Sequence, residues 1–207
     1  MISVRRTRND FSARSRSTDE GFVTDGVIQF YSRNAEAVGT DFTLPTGYRW
    51  CLWRPVQGGL VPRGVPLFPF CVWTAMHRLH MFANREYGLL LVYAGTRLVH
   101  RSGIFPRYLR FPFMASGDLQ IGDVWTHPEH RNRRLASFAI QEILAASASP
   151  GRRIWYLVDD DNRISVRTIE TFDFISLGTG RRVSRLGLRA LGQYVMNGVG
   201  TIGSTCL

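Results

Sequence analysis

Arg131, Arg133 and Arg134 crowd the segment Arg131-Asn132-Arg133-Arg134-Leu135-Ala136, directly before an apolar-periodic run. A helix begins there on its spacing, with Leu135, Phe138, Ala139, Ile143 and Leu144 on one face. The first turn of a helix carries free backbone N–H groups and the positive end of its dipole. Arginine adds planar, permanently charged donors. Together these make an anion site, and a diphosphate is a natural guest. The plain alternative is an ordinary strand-to-helix connection with surface arginines.

The flanking elements would aim this turn. Leu119–Thr126 reads as a strand, His127-Pro128 as a turn, and residues 134–147 as the helix, stopped by Pro150-Gly151. Ile154–Val158 is a second apolar strand. Asp159-Asp160-Asp161-Asn162 caps a further helix over residues 164–172. Phe174–Gly178 and Arg182–Leu188 read as a closing strand pair. Upstream, Val27–Phe30 and Tyr48–Trp53 are strand-like, and Leu89–Tyr93 with Arg97–Ser102 forms a hairpin around Ala94-Gly95-Thr96. Phe70–Asn84 is a helix, with Val72, Ala75, Met76 and Leu79 at three- and four-residue spacing. The loop between Pro55 and Pro69 is rich in glycine and proline.

With 207 residues, 44% of them hydrophobic, the chain can bury one sizeable core. Residues 21–196 are expected as a single domain, between a flexible Arg-rich arm (1–20) and a loose tail (197–207). The net charge is +10, and all 26 basic residues are arginine. Such a chain calls for an anionic partner. Cys51, Cys71 and Cys206 form no metal or disulfide pattern. His77/His80 and His127/His130 are spaced i, i+3 without a third ligand in the pattern, so no metal is expected. No apolar run reaches a membrane span, and no secretory signal is read, which makes the cytoplasm the default.

The segment from Leu119 to Leu144 resembles the acyl-CoA-binding motif of the GNAT acetyltransferase superfamily, V-x-P-x-x-[QR]-x-x-G-x-[GA]. Thr126 takes the Val position, Pro128-Glu129 match, Arg131 matches Q/R, and Leu135-Ala136 match the end. Asn132 stands where the family often has glycine, and Arg134 stands at the usual glycine. Arginine fits there if its φ is negative, as at a helix start. A second stretch, Asn162-Arg163-Ile164-Ser165 through Ile169-Glu170-Thr171-Phe172-Asp173-Phe174, is similar to the family's N-x-x-[AS]-x-x-x-[LIVY]-E-K-x-G-F, with Asp173 replacing glycine.

The resemblance implies an α/β fold of the α+β type: a mixed, mostly antiparallel sheet flanked by helices, its two middle strands splayed. It implies acetyl-CoA or another acyl-CoA as cosubstrate. The residues it assigns to cofactor binding are Trp125, Thr126, Arg131, Asn132, Arg133, Arg134, Leu135, Ala136, Asn162 and Ser165. An amine would attack the thioester directly, and a strand N–H would stabilise the oxyanion. The tyrosine that many members use as acid falls at Ile169 here. Asp123 is the carboxylate of the first splayed strand and the candidate base; it needs a β-bulge to face the substrate, and otherwise faces a helix. His100, Glu86 and Asp118 are weaker candidates. The acceptor would be a primary amine of a small molecule such as an amino sugar, and the family leaves room for a homodimer. Two rival readings exist. One is a nucleic-acid-binding protein using the Arg-rich arm and the aromatic-basic stretch Ile104–Phe113; the other is a degenerate acyltransferase fold acting as a binding module.

Overall fold

The computed structural model describes residues 23–36, 39, 41–55, 59–185 and 188–197. The arm of residues 1–20 and nearly all of the C-terminal tail lie outside these residues. The described chain forms one eight-stranded sheet in the order β2-β3-β4-β5-β6-β1-β7-β8. Its strands are β1 (Val23–Asn34), β2 (Tyr48–Trp53), β3 (Gly88–Ala94), β4 (Arg97–Pro106), β5 (Leu119–Thr126), β6 (Arg153–Asp159), β7 (Ile175–Arg185) and β8 (Leu188–Met196). Only β5 and β6 run parallel; every other neighbouring pair is antiparallel. Three helices, α1 (Leu67–Arg78), α2 (Leu135–Ala146) and α3 (Arg163–Glu170), connect the strands. This is the mixed, mostly antiparallel α/β architecture expected.

The sheet is covered on both faces, and β3 shows how. Its run Leu89-Leu90-Leu91-Val92 is wholly buried. Strand alternation sends Leu90 and Val92 into the main core with Ile140, Ile143 and Leu144 of α2. Leu89 and Leu91 pack on the opposite face with Phe70 of α1 and Val65. A third cluster joins Phe82, Tyr87, Phe105, Phe111, Met114 and Trp155. This cluster absorbs the rings of the aromatic-basic stretch. Tyr108 meets Phe111 at 5.0 Å and Phe82 at 5.3 Å, and Phe111 stacks on Tyr194 at 5.7 Å. These rings are engaged with one another, so they offer no stacking platform for bases.

Several sequence expectations change in detail. The segments Phe174–Gly178 and Arg182–Leu188, expected as a closing strand pair, fall largely within the single strand β7, which pairs with β8, and the helix expected over Phe70–Asn84 ends at Arg78. β1 is longer than Val27–Phe30 and pairs with both β6 and β7. The α1 helix forms, but of its periodic apolar residues only Met76 packs against the core. Phe70, Thr74 and His77 are buried, whereas Val72, Ala75 and Leu79 face outward. Aromatic and small polar residues pack beneath α1, and the aliphatic stripe that signalled the helix is left in solvent.

Asp118 and Glu86, considered above as bases, hold the fold together. Asp118 is buried and accepts from the N–H of Ala115 and Arg153 and from the indole N–H of Trp155. Glu86 is paired with Arg152. Removing a carboxylate that satisfies three donors costs roughly 3 kcal/mol. Asp118→Ala is therefore expected to lower unfolding free energy by about that amount in urea titrations, with Asp118→Asn milder because one acceptor oxygen remains.

Candidate functional site

The site begins where β5 and β6 separate. Their parallel pairing covers Leu119↔Ile154, Gln120↔Trp155 and Ile121↔Tyr156, then stops. β6 pairs with β1 along its whole length, and beyond Tyr156 that is its remaining partner, as in Leu157↔Phe30, while β5 stays with β4. The edge of β5 from Gly122 to Thr126 that would face β6 thus has no strand partner. The two middle strands splay, and two connected hollows fill the gap.

The larger hollow, about 550 Å³, lies over the start of α2. Trp125, Thr126, Arg131, Asn132, Arg133, Arg134, Leu135, Ala136, Asn162 and Ser165 all line it, with Tyr156 and Ile140 at its floor. No side chain caps α2, so its first-turn N–H groups face this cleft without a side-chain acceptor. Arg131 Nε lies 3.4 Å from the Thr126 carbonyl, tying the turn to the strand end. Arg133 donates to the Tyr48 hydroxyl at 2.9 Å, which also meets His130 Nδ1 at 2.8 Å. Tyr48 thus anchors the basic turn to β2. Nothing in the local pattern around Tyr48 signals that role.

The backbone of this turn departs from expectation. Arg134 has φ +58°, not the negative φ anticipated, and Asn132 has φ +59°. Asp173, which also replaces a glycine of the resembling pattern, has φ +57°. All three positions keep the left-handed conformation that glycine adopts freely. For a residue with a Cβ this costs roughly 1–2 kcal/mol, least for Asn and Asp. The turn therefore keeps its shape through its surroundings and carries strain at Arg134.

The smaller hollow, about 180 Å³, opens at the vertex of the splay and shares Val124, Tyr156, Asn162 and Ser165 with the cleft. Asp123 lines it. The bulge that Asp123 required is present: between the pairs Arg101↔Trp125 and Gly103↔Gly122, β4 has one residue and β5 has two. Asp123 itself is left-handed, with φ +49°. Its carboxylate accepts from Arg101 Nε at 2.6 Å and Nη2 at 3.2 Å. Arg101 in turn lies 4.9 Å over the Trp125 ring and 5.4 Å over Phe70. Arg101 was not foreseen as part of the site.

Tyr156 was also missed, because its place in the apolar run Ile154–Val158 reads as core. It lines both hollows. Burial pushes its phenol above the usual value, with a hydrogen bond to Ser165 opposing in part. It therefore remains a protonated donor through neutral and mildly alkaline pH. Ile169, at the family's tyrosine position, is fully buried.

His100 is buried behind β5 and cannot take a proton from a bound molecule. Its Nδ1 meets Thr126 Oγ1 at 2.8 Å and its Nε2 meets Ser102 Oγ at 2.9 Å. Burial, helped by Arg101, pushes its pKa down to about 3. His127, Glu129 and His130 converge, with one ligand atom each within 4.8 Å of the others. Arg97 bridges His127 Nε2 at 2.7 Å and Glu129 Oε2 at 3.0 Å, so a fixed positive charge stands where a cation would.

The Acetyltransferase (GNAT) family model matches residues 66–174, and the chain belongs to this family. The fold is similar to a GCN5-related N-acetyltransferase from Sphaerobacter thermophilus (16% identity, TM-score 0.51, 75% of this chain and 50% of that one). It is also similar to a Drosophila protein (14% identity, TM-score 0.51, 74% and 50%). A GNAT-family acetyltransferase from Colwellia psychrerythraea matches less well (12% identity, TM-score 0.46, 74% and 53%). The chain thus spans about half the length of these structures. No curated protein matches it. Among the described residues no helix is long and apolar enough to cross a membrane.

Two outcomes are expected. Arg134→Gly relieves the left-handed strain, so the variant is at least as stable as the parent and gains up to about 1 kcal/mol; Arg134→Ala, which keeps the Cβ, shows no gain in thermal melts. For His100, the folded pKa lies below the unfolded value of 6.5, so between these pH values the unfolded chain binds more protons. Its contribution to stability is complete above pH 6.5 and falls away as pH drops toward 3. Midpoint temperatures measured across this window should fall less steeply in His100→Gln than in the parent.

Proposed function

We propose that this chain moves an acetyl or other short acyl group from acyl-CoA to a primary amine of a small molecule, by direct attack in a ternary complex. The observation that carries this reading is the continuity of the splay with the uncapped, arginine-lined start of α2. One opening thereby joins an unpaired strand edge, an anion-binding helix end and a carboxylate.

The parts have distinct tasks. Backbone N–H groups of Leu135 and Ala136, with Arg131 and Arg134 beside them, hold the pyrophosphate. Trp125 and Thr126 flank the pantetheine arm along the free edge of β5, while Asn162 and Ser165 border it from α3. A β5 N–H aimed into the gap stabilises the oxyanion. Asp123 orients the amine and takes its proton. Its second lone pairs remain open although both oxygens accept from Arg101. Tyr156 donates a hydrogen bond to the departing sulfur. Full proton transfer is not its task, since a thiol near pKa ~8.5 is the stronger acid of the two. The smaller hollow, about 180 Å³, suits a compact amine such as an amino sugar.

Calorimetry with acetyl-CoA tests the binding half of the proposal. Arg131→Ala should weaken affinity roughly tenfold, the worth of one charge-assisted contact; a parent that binds no acetyl-CoA sinks the reading. Thiol release with a panel of amino sugars and polyamines tests the chemistry. Tyr156→Phe should lower kcat by about one order of magnitude while leaving acetyl-CoA affinity nearly unchanged. Tight binding without turnover on any amine would favour a binding module.

A further inference from the structure

We propose that the outer face of α1 is a docking surface for an anionic lipid bilayer. The face is built of two observations that meet at one place. Val72, Ala75 and Leu79 recur at helical spacing and lie on the solvent side of α1, while the helix buries Phe70, Thr74 and His77 beneath it. At the tip, Leu67 and Phe68 are each 75% exposed, and at the other end Leu79 is 72% exposed. Val72, Ala75 and Leu79 share one side of the helix, and exposed Leu67 and Phe68 precede it across a backbone kink, so apolar groups are concentrated along this element.

The second observation is charge. Between Asp41 and Glu86 the chain has no acidic residue, but it has Arg49, Arg54, Arg63, Arg78 and Arg85. Arg63 and Arg78 are exposed beside the patch. Arg78 reaches the Gly59 carbonyl at 3.5 Å, which brings exposed Leu60 against the same helix end. An apolar stripe in an acid-free, arginine-bearing stretch of chain has the form of an interfacial helix: aliphatic and aromatic groups enter the acyl boundary and guanidinium groups meet lipid phosphates. A second copy of this chain is the poorer occupant. It would set an acid-free, arginine-rimmed face against its own like charge on a molecule of net charge +10. Docking would lay α1 flat on the membrane, with the sheet beneath it held away from the lipid.

Co-sedimentation of the full chain with phosphatidylglycerol vesicles, against phosphatidylcholine vesicles, tests the proposal. The chain should partition onto the anionic vesicles at least tenfold more strongly. Phe68→Ser/Leu79→Ser, which leaves the charge untouched, should reduce that partition about tenfold. Arg63→Gln/Arg78→Gln should reduce it most at low salt. Retained acetyl-CoA binding by each variant shows that it has folded; should a variant lose it, circular dichroism and melting decide folding independently. Three results overturn the proposal: no partition onto anionic vesicles, partition unchanged in Phe68→Ser/Leu79→Ser, or a dimer in sedimentation velocity that this variant abolishes while vesicles capture neither protein. Unchanged partition in that variant would mean simple electrostatic adsorption of a basic chain.

Discussion

The site depends on a strand pair that stops early. β5 and β6 share only three residue pairs, beyond which β6 keeps only β1 as its partner and β5 only β4. Backbone donors and acceptors must be satisfied, and a strand edge inside a sheet has few ways to achieve this without a neighbour. The free edge of β5 is therefore a place where an extended ligand can complete the sheet. Everything else in the site is arranged around that edge. The basic turn lies at its far end, Tyr156 at its vertex, and the bulge at Asp123 on its flank. The longer β1 makes the separation tolerable, because it gives β6 a full partner on the side away from β5.

Strain is concentrated in the same region but not confined to it. Asp123, Asn132 and Arg134 are left-handed without being glycine, as are Asp173 and His80 away from the site. Strain of this kind persists only where surrounding contacts over-determine the backbone. Several of those contacts are visible. Arg101 grips the Asp123 carboxylate, and Arg133 ties the basic turn to Tyr48. The apolar face of α2, including Leu135, Ile140 and Ile143, is buried. Glycine at these positions would have been the cheaper way to the same shape.

The C-terminal half was largely legible from sequence, and the reasons are physical. The strand Leu119–Thr126 and the helix after Arg134 carry clear periodicity, and Asn162 caps α3 by accepting from the Ser165 N–H at 3.2 Å. What could not be read was the sign of φ at Arg134, since a helix start does not fix it. Long-range partners were equally hidden. The pairing of Arg101 with Asp123 and of Tyr48 with Arg133 joins residues far apart in the chain, and no local spacing encodes either. Tyr156 was invisible for another reason. An aromatic residue in a fully apolar strand looks like core until the neighbouring strand is seen to leave. In α1 the spacing revealed a helix, but periodicity reports that one side is apolar and not which side meets the sheet.

The placing of β1 has a consequence for the order of assembly. It comes first in the chain among the described strands, yet both of its neighbours, β6 and β7, lie more than a hundred residues downstream. During synthesis β2, β3, β4 and β5 can pair as they emerge, each next to its predecessor. β1 has no such option, and must wait as an unpaired, hydrogen-bond-hungry segment until β6, which ends at Asp159, has left the ribosome. Closing so long a loop is entropically late, so β1 joins the sheet only after the strands from β2 to β5 have paired. The half of the sheet that contains the vertex of the site is then the half that a nascent or truncated chain lacks.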